Sequence, residues 1–360
     1  LDFWPEEPWV AWNKRWFKIG LQAAALLLVV WGIASSIRKS ARQLSEQRAR
    51  IQLEAEQMEL QAEGLDESKE RRELLLEAGQ LRRSANDFWK ARPDLLALAG
   101  ACYMVGMFPA WQFWRHCLIA LEQPSALMAT MWAYFYGNLG KYFPGKAMVI
   151  VLRLAAMAHL GGKKAATTIT IFMETLTMMS VGGAMAAVCL ILLNLDWRFT
   201  ALALGLLVAT FIPTFPPLLR RMLPRLQPGV SKEVLAIWSQ RIDAKLFRRG
   251  WFMLTLTWLA FGTSLMLVLH SLPSSDFSRA PWSTAVLSCQ GACALAMVVG
   301  FVSLVPGGAG VREAVLSLVL TPVVGPVAAL CGAVWLRVVW LSTELLVVAV
   351  LFLLKKYSAP

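Results

Sequence analysis

Long apolar runs separated by short polar breaks dominate the chain. Runs over 17–37, 94–121, 166–195, 199–219, 250–272 and 325–354 approach or exceed the roughly 20 residues that carry a helix across a bilayer core. Two more apolar stretches, 125–160 and 284–321, are interrupted at their centres by NLGKYFPGKA and SLVPGGAG. Before each break there is enough apolar chain to reach deep into a bilayer. After it only about 11–14 residues remain before the next polar or Pro/Gly-rich stretch, which is short for a crossing at about 1.5 Å per residue. The pattern therefore predicts two re-entrant helical hairpins, each turning at Pro-Gly. The fold class is all-α: a polytopic helical membrane protein rather than a barrel of short alternating strands.

Residues 38–92 follow a different pattern, with 12 Lys/Arg, 11 Asp/Glu and many helix formers. Ala41, Leu44, Arg48, Ile51, Ala55, Met58, Ala62 and Leu65 recur at three- and four-residue spacing, as in a heptad seam. Gly64 followed by Asp66 suits the end of one helix and the cap of the next. The segment reads as an extramembrane helix or helical hairpin. It is flanked by a Trp-rich interfacial stretch with a first span (1–37) and by a membrane domain (93–360).

Aligning Pro144-Gly145 with Pro306-Gly307 gives an offset of 162 residues. At that offset the order of elements in 93–195 repeats in 250–354. With re-entrant hairpins, three crossings separate equivalent elements, so the second unit is inverted. Inverted repeats with paired broken helices are a common way to build a transport site. Loop 220–249 carries eight Lys/Arg against two acids and is expected on the cytoplasmic side. Lys163, Lys164, Lys355 and Lys356 fall on the same side and loop 273–281 on the other; 38–92 falls outside if the first hairpin is re-entrant, and on the cytoplasmic side if that hairpin crosses fully.

Composition adds little to this picture. The net charge of +12 fits basic loops facing anionic headgroups; nothing resembles a nucleic-acid-binding motif. The six cysteines lie in or beside apolar segments, where they act as small hydrophobes. Neither they nor the three scattered histidines form a metal set or a catalytic triad. No cofactor is expected, and no signal peptide with a cleavage site is visible.

The charges inside apolar segments carry more information. Each costs on the order of 3 kcal/mol at the bilayer centre. The candidates are Lys141, Lys146, Arg153, Glu174, Arg312, Glu313, Arg337 and Glu344, with a surplus of positive charge. A helix that starts at Gly307, Gly308 and Gly310 points free N–H groups and a positive dipole end at its surroundings. Arg312 stands in its first turn, and Lys141, Lys146 and Arg153 bracket the other break at Pro144-Gly145. The simplest use is to hold an anion such as a lipid phosphate. Arg337, Glu344 and Glu174 have a competing role, as ion pairs that only hold helices together. Lys141 and Lys146 also suit snorkelling from a shallower turn.

Together, GNLGKYFPGKAMVIVLR (137–153), Glu174, GFVSLVPGGAGVREAVL (300–316) and Arg337 resemble the transmembrane, flippase-like domain of lysylphosphatidylglycerol synthases, over roughly 94–354. The resemblance implies movement of a lipid between leaflets in a bacterial or archaeal cytoplasmic membrane. It also implies roles for Pro144, Gly145, Arg153, Glu174, Pro306, Gly307, Gly308, Gly310, Arg312, Glu313 and Arg337. The chain shows no soluble aminoacyl-transfer domain, so synthesis of lysyl lipid is not expected of it. The insertion at 38–92 is longer than the family's usual link.

The expected function is that of a lipid flippase or scramblase for an anionic or phosphate-bearing lipid, not an enzyme. Lys141, Pro144, Gly145, Lys146, Arg153, Glu174, Pro306, Gly307, Gly308, Gly310, Arg312, Glu313 and Arg337 would serve the headgroup. No P-loop is present, so movement is passive or gradient-driven. Three alternatives stay open: a secondary transporter of a soluble anion, a lipid-linked transferase, and a non-transporting protein whose working part is 38–92. Membrane lipids are the expected partners, with a protein partner on 38–92 and a homodimer as further possibilities.

Overall fold

The computed structural model describes residues 45–46, 49–65, 69–86, 90–142, 147–194, 197–226, 230–303, 308 and 310–357. The first apolar run, 17–37, lies outside them. The described residues form helices and turns, with no strand among them. Helix α1 covers 49–63 and turns at Gly64 into α2, Lys69–Asn86. Ala55, Ala62 and Ala78 are fully buried, and Arg82 pairs with Glu59 across the turn at 2.8 Å. The alanines let the two helices approach closely, while most of their charge stays in solvent.

Among the described residues, five helices are long and apolar enough to cross a membrane: α3 (Pro93–Ala120), α6 (Lys164–Leu192), α10 (Ala244–His270), α11 (Trp282–Val302) and α13 (Pro326–Tyr357). Around the breaks lie α4 (Leu127–Asn138) with the 3-10 turn Leu139–Tyr142, then α5 (Ala147–Ala158), and after α11, α12 (Val311–Val324). The run over 199–219 is shorter than its apolar length suggests. Helix α7 (Trp197–Phe211) gives way to a 3-10 turn at Ile212–Thr214, and Pro216 opens a separate helix, α8 (Pro216–Leu226). Pro213, Pro216 and Pro217 lack the N–H groups that a continuing helix needs. Helix α9 (Lys232–Arg241) follows, capped by the Ser231 hydroxyl, which accepts from the Val234 N–H.

Helices α3 and α10 pack against each other at the centre. Glycines allow the approach: a Cβ on Gly106 would lie 2.7 Å from that of Ala260, and one on Gly250 would lie 2.4 Å from the Phe113 ring. The Ser264 hydroxyl donates to the Ala99 carbonyl at 2.8 Å across the same contact. The surrounding helices come in corresponding pairs. Helix α3 touches α13 as α10 touches α6; α6 touches α11 as α13 touches α4. The contacts α4–α5, α5–α6 and α3–α6 likewise match α11–α12, α12–α13 and α10–α13. Exchanging α3, α4, α5, α6 for α10, α11, α12, α13 thus preserves these neighbour relations.

The ends of each broken pair come together. The Lys163 N–H, just after α5, donates at 2.8 Å to the Gln123 side chain, just before α4. Helix α12 lies against the 3-10 turn Phe277–Arg279, just before α11. At one end of the bundle Arg92 N–H donates to the Ser271 carbonyl at 2.9 Å. At the other, Arg241 pairs with Glu122 at 2.8 Å, beside Lys163, Lys164 and the basic helices α8 and α9.

Small residues decide how closely α6 meets α10. A Cβ on Gly182 would fall 2.5 Å from the Trp258 ring, which is buried and donates its indole N–H to the Met178 carbonyl at 2.9 Å. The ring has no room to retreat, and overpacking of this kind costs about 1–3 kcal/mol. We expect Gly182→Ala to lower the thermal unfolding midpoint of the detergent-purified protein. The exposed Gly205, with nothing within 4 Å of an added Cβ, should tolerate alanine without such a drop.

Candidate functional site

The intramembrane charges fall into two groups. The first lies within α3–α6. Arg153 on α5 and Glu174 on α6 pair at 2.8 Å, each with no more than 4% of its side chain exposed. A second guanidinium nitrogen donates to the Asn138 side-chain Oδ1 at 2.8 Å, and the Tyr134 hydroxyl donates to Glu174 at 3.2 Å. The guanidinium sits 4.3 Å from the Tyr134 ring centre and 5.0 Å from that of Trp114. Gly137 makes room for the arginine stem, since a Cβ there would lie 2.3 Å from Arg153 Cγ. Charge, aromatic face and amide together hold this arginine away from water and lipid.

The second group joins the two sets of helices. Glu344 on α13 is 2% exposed and accepts from the Lys141 ammonium and from the Tyr103 hydroxyl. Lys141 also donates to the Tyr103 oxygen at 3.3 Å. Nearby, Arg337 on α13 pairs with Glu313 on α12 at 2.8 Å. The other Glu313 oxygen accepts from the Gly310 N–H at 2.7 Å. That contact caps the helix start, where Gly310 has φ +86° and Gly308 φ +65°; glycine adopts this left-handed conformation without a Cβ penalty. Glu313 therefore fastens the start of α12 to α13. The pair answers Arg153–Glu174, which fastens α5 to α6, with the signs exchanged.

Arg312 is arranged differently. Its stem passes between Gly300 and Gly308, where an added Cβ would come within 2.6 Å of it on either side. Its Nε is buried and has no hydrogen-bond partner. The residue lines a pocket with Lys141, Tyr142, Arg337, Cys293, Leu316 and Trp340. The space open to water-sized centres is about 40 Å³, several times what one water needs. A space of that size has room for a small anionic group. A buried donor without an acceptor is costly, and an anion in this pocket would supply one.

Of the residues singled out from the sequence, Lys141, Arg312, Glu313 and Arg337 thus meet around one pocket, with Gly308 and Gly310 shaping its edge. Arg153 and Glu174 meet each other and are not among the pocket's lining residues. Pro144, Gly145, Lys146, Pro306 and Gly307 lie outside the described residues. Tyr103, Tyr142 and Trp340 carried no signal in the sequence, because a lone aromatic in an apolar run reads as packing. Glu344 was legible as an intramembrane charge, yet its partners lie more than 200 positions away.

The role of Glu313 as a fastener has a measurable consequence. Glu313→Gln keeps the shape but removes the carboxylate that pairs with Arg337 and weakens the cap on α12. Removing one partner of a largely buried pair costs about 3–5 kcal/mol. Thermal unfolding in detergent should show a clear loss of stability, larger than that of Gly182→Ala.

The fold and the site define a class: a multi-pass helical membrane protein in which two matched pairs of interrupted helices bring arginine and lysine to an internal pocket. The model of the lysylphosphatidylglycerol synthase TM region matches residues 74–350, more than three quarters of the chain, and the chain belongs to that family. A search of curated proteins found no match.

Proposed function

We propose that the protein moves a phosphate-bearing lipid between the leaflets of a membrane, with the phosphate at Arg312, Lys141 and Arg337 and the acyl chains left in lipid. The observation that carries this reading is the buried Arg312 Nε, which has no hydrogen-bond partner in a pocket lined by three basic side chains, Glu313 and apolar residues. Membership of the family and the multi-pass helical fold support a flippase-like role. On this reading α4–α5 and α11–α12 are re-entrant hairpins of an inverted repeat. The meeting of Lys163 with Gln123, and of α12 with the turn before α11, supports that geometry. The basic end with α8 and α9 would face the cytoplasm, as the charge rule for loops requires, and 38–92 the opposite side of a cytoplasmic membrane. The protein acts here as a carrier, not an enzyme.

The small pocket favours one second reading, a transporter of a soluble anion, because it has room for a small anionic group however that group arrives. Thermal stabilisation of the detergent-purified protein separates the two. Short-chain phosphatidylglycerol should raise the unfolding midpoint at concentrations where inorganic phosphate and sulfate do not. Stabilisation by the free anions alone would favour the second reading.

A further inference from the structure

One buried carboxylate by this pocket keeps an oxygen in reserve. Glu313 uses both oxygens, one on Arg337 and one on the Gly310 N–H. Glu174 uses both as well, on Arg153 and Tyr134. Glu344 receives Lys141 and Tyr103 on Oε1, while Oε2 is buried with no partner. A proton can therefore be added at Oε2 without displacing either existing donor.

Lys141 stands on both sides of the matter, since it holds Glu344 and lines the pocket. Around Glu344, α3 presents Tyr103 and the 3-10 turn presents Lys141 and Tyr142; α12 presents Arg312 and Glu313, and α13 presents Arg337, to the pocket that Lys141 also lines. A phosphate in the pocket places a second anion against the ammonium that neutralises Glu344. Two neighbouring anions that share one cation away from water repel each other, and a proton added to one of them relieves that repulsion. Binding linkage is reciprocal, so a proton on Glu344 also tightens the hold on phosphate.

We propose that Glu344 is a proton site coupled to the pocket, so that each phosphate group crosses together with one proton. This rests on the reading of the pocket as a phosphate site. On binding, a proton from water adds to Oε2, Lys141 stays an ammonium ion and turns to the phosphate, and no other bond changes. On release the proton returns to water on the far side. A phosphodiester with a single negative charge then crosses without net charge, which lowers the cost of passing the bilayer.

The test uses the full-length protein in vesicles, with fluorescent phosphatidylglycerol, a pH gradient and the membrane potential clamped at zero. One proton per lipid predicts enrichment in the leaflet facing the alkaline side, up to about tenfold per pH unit at equilibrium. In Glu344→Gln, whatever lipid movement remains should show a ratio of one. Lipid movement in wild type with no response to the gradient would overturn the proton site and leave the pocket reading standing. A bias retained in Glu344→Gln would overturn it too, and if that variant does not fold, the wild-type ratio alone decides. A parallel arm measures uptake of radiolabelled phosphate. A gradient-driven response there, and not for lipid, would assign the same proton to a soluble anion. Movement of neither would overturn both the pocket reading and the proton site.

Discussion

Arg312→Met is expected to slow lipid movement at least tenfold and to leave the protein as stable as before, or more so. The two effects have one cause. Without a ligand the Arg312 Nε is buried and unpaired, so its removal relieves a desolvation cost rather than breaking a contact. Methionine keeps an unbranched, flexible stem that suits the channel between Gly300 and Gly308. With phosphate bound, the same group makes a charge-assisted hydrogen bond, worth about 1.5–3 kcal/mol, so its loss should slow transport by about tenfold to more than a hundredfold. Initial rates in vesicles give the first number and thermal unfolding in detergent the second. A residue that merely held helices together would lose stability and rate in parallel.

Arg153 and Glu174 should give the opposite pattern. Each is the main charged partner of the other inside a cage of Trp114, Tyr134 and Asn138. Removing either leaves a charge buried without its counterion, which costs about 3–5 kcal/mol. Arg153→Met and Glu174→Leu should therefore each strongly reduce the yield of folded protein. The double substitution should regain much of it, because two apolar side chains replace a pair whose desolvation was never free. Unfolding midpoints of the two single variants and the double variant form a cycle with a large coupling. If the double variant also transports, the pair positions α5 against α6 and is not needed for the headgroup itself. If it folds and is inert, the arginine serves the substrate directly.

Much of this architecture could be read from the chain, for identifiable reasons. Apolar runs of span length locate α3, α6, α10 and α13 to within a few residues, apart from the amino-terminal start of α10, because bilayer thickness imposes a minimum length. The central Pro-Gly breaks mark where α4 gives way to α5 and α11 to α12. Arg312 and Arg337 stood out because a charge in such a run demands an explanation. The α7 run was misjudged in length: its residues are apolar through 219, but Pro213, Pro216 and Pro217 outweigh hydropathy there. Pairing was the harder problem. Periodicity cannot reveal that Lys141 reaches Glu344, or that Arg153 chooses Glu174 while Arg337 chooses Glu313. Those choices depend on which helices touch: the packing of α4 on α13, of α5 on α6 and of α12 on α13 decides them. The free Oε2 of Glu344 and the free Nε of Arg312 are further removed still, since an unsatisfied atom is defined by what does not reach it.

The central claim is that the pocket recognises phosphate on a lipid. The most direct test compares initial transbilayer rates of two fluorescent lipids with matched acyl chains, phosphatidylglycerol and a neutral monoglucosyl diacylglycerol, in vesicles with and without the protein. The account predicts that the protein speeds only the phosphate-bearing lipid. Equal acceleration of both would contradict it, because a path that ignores phosphate has no need of Arg312.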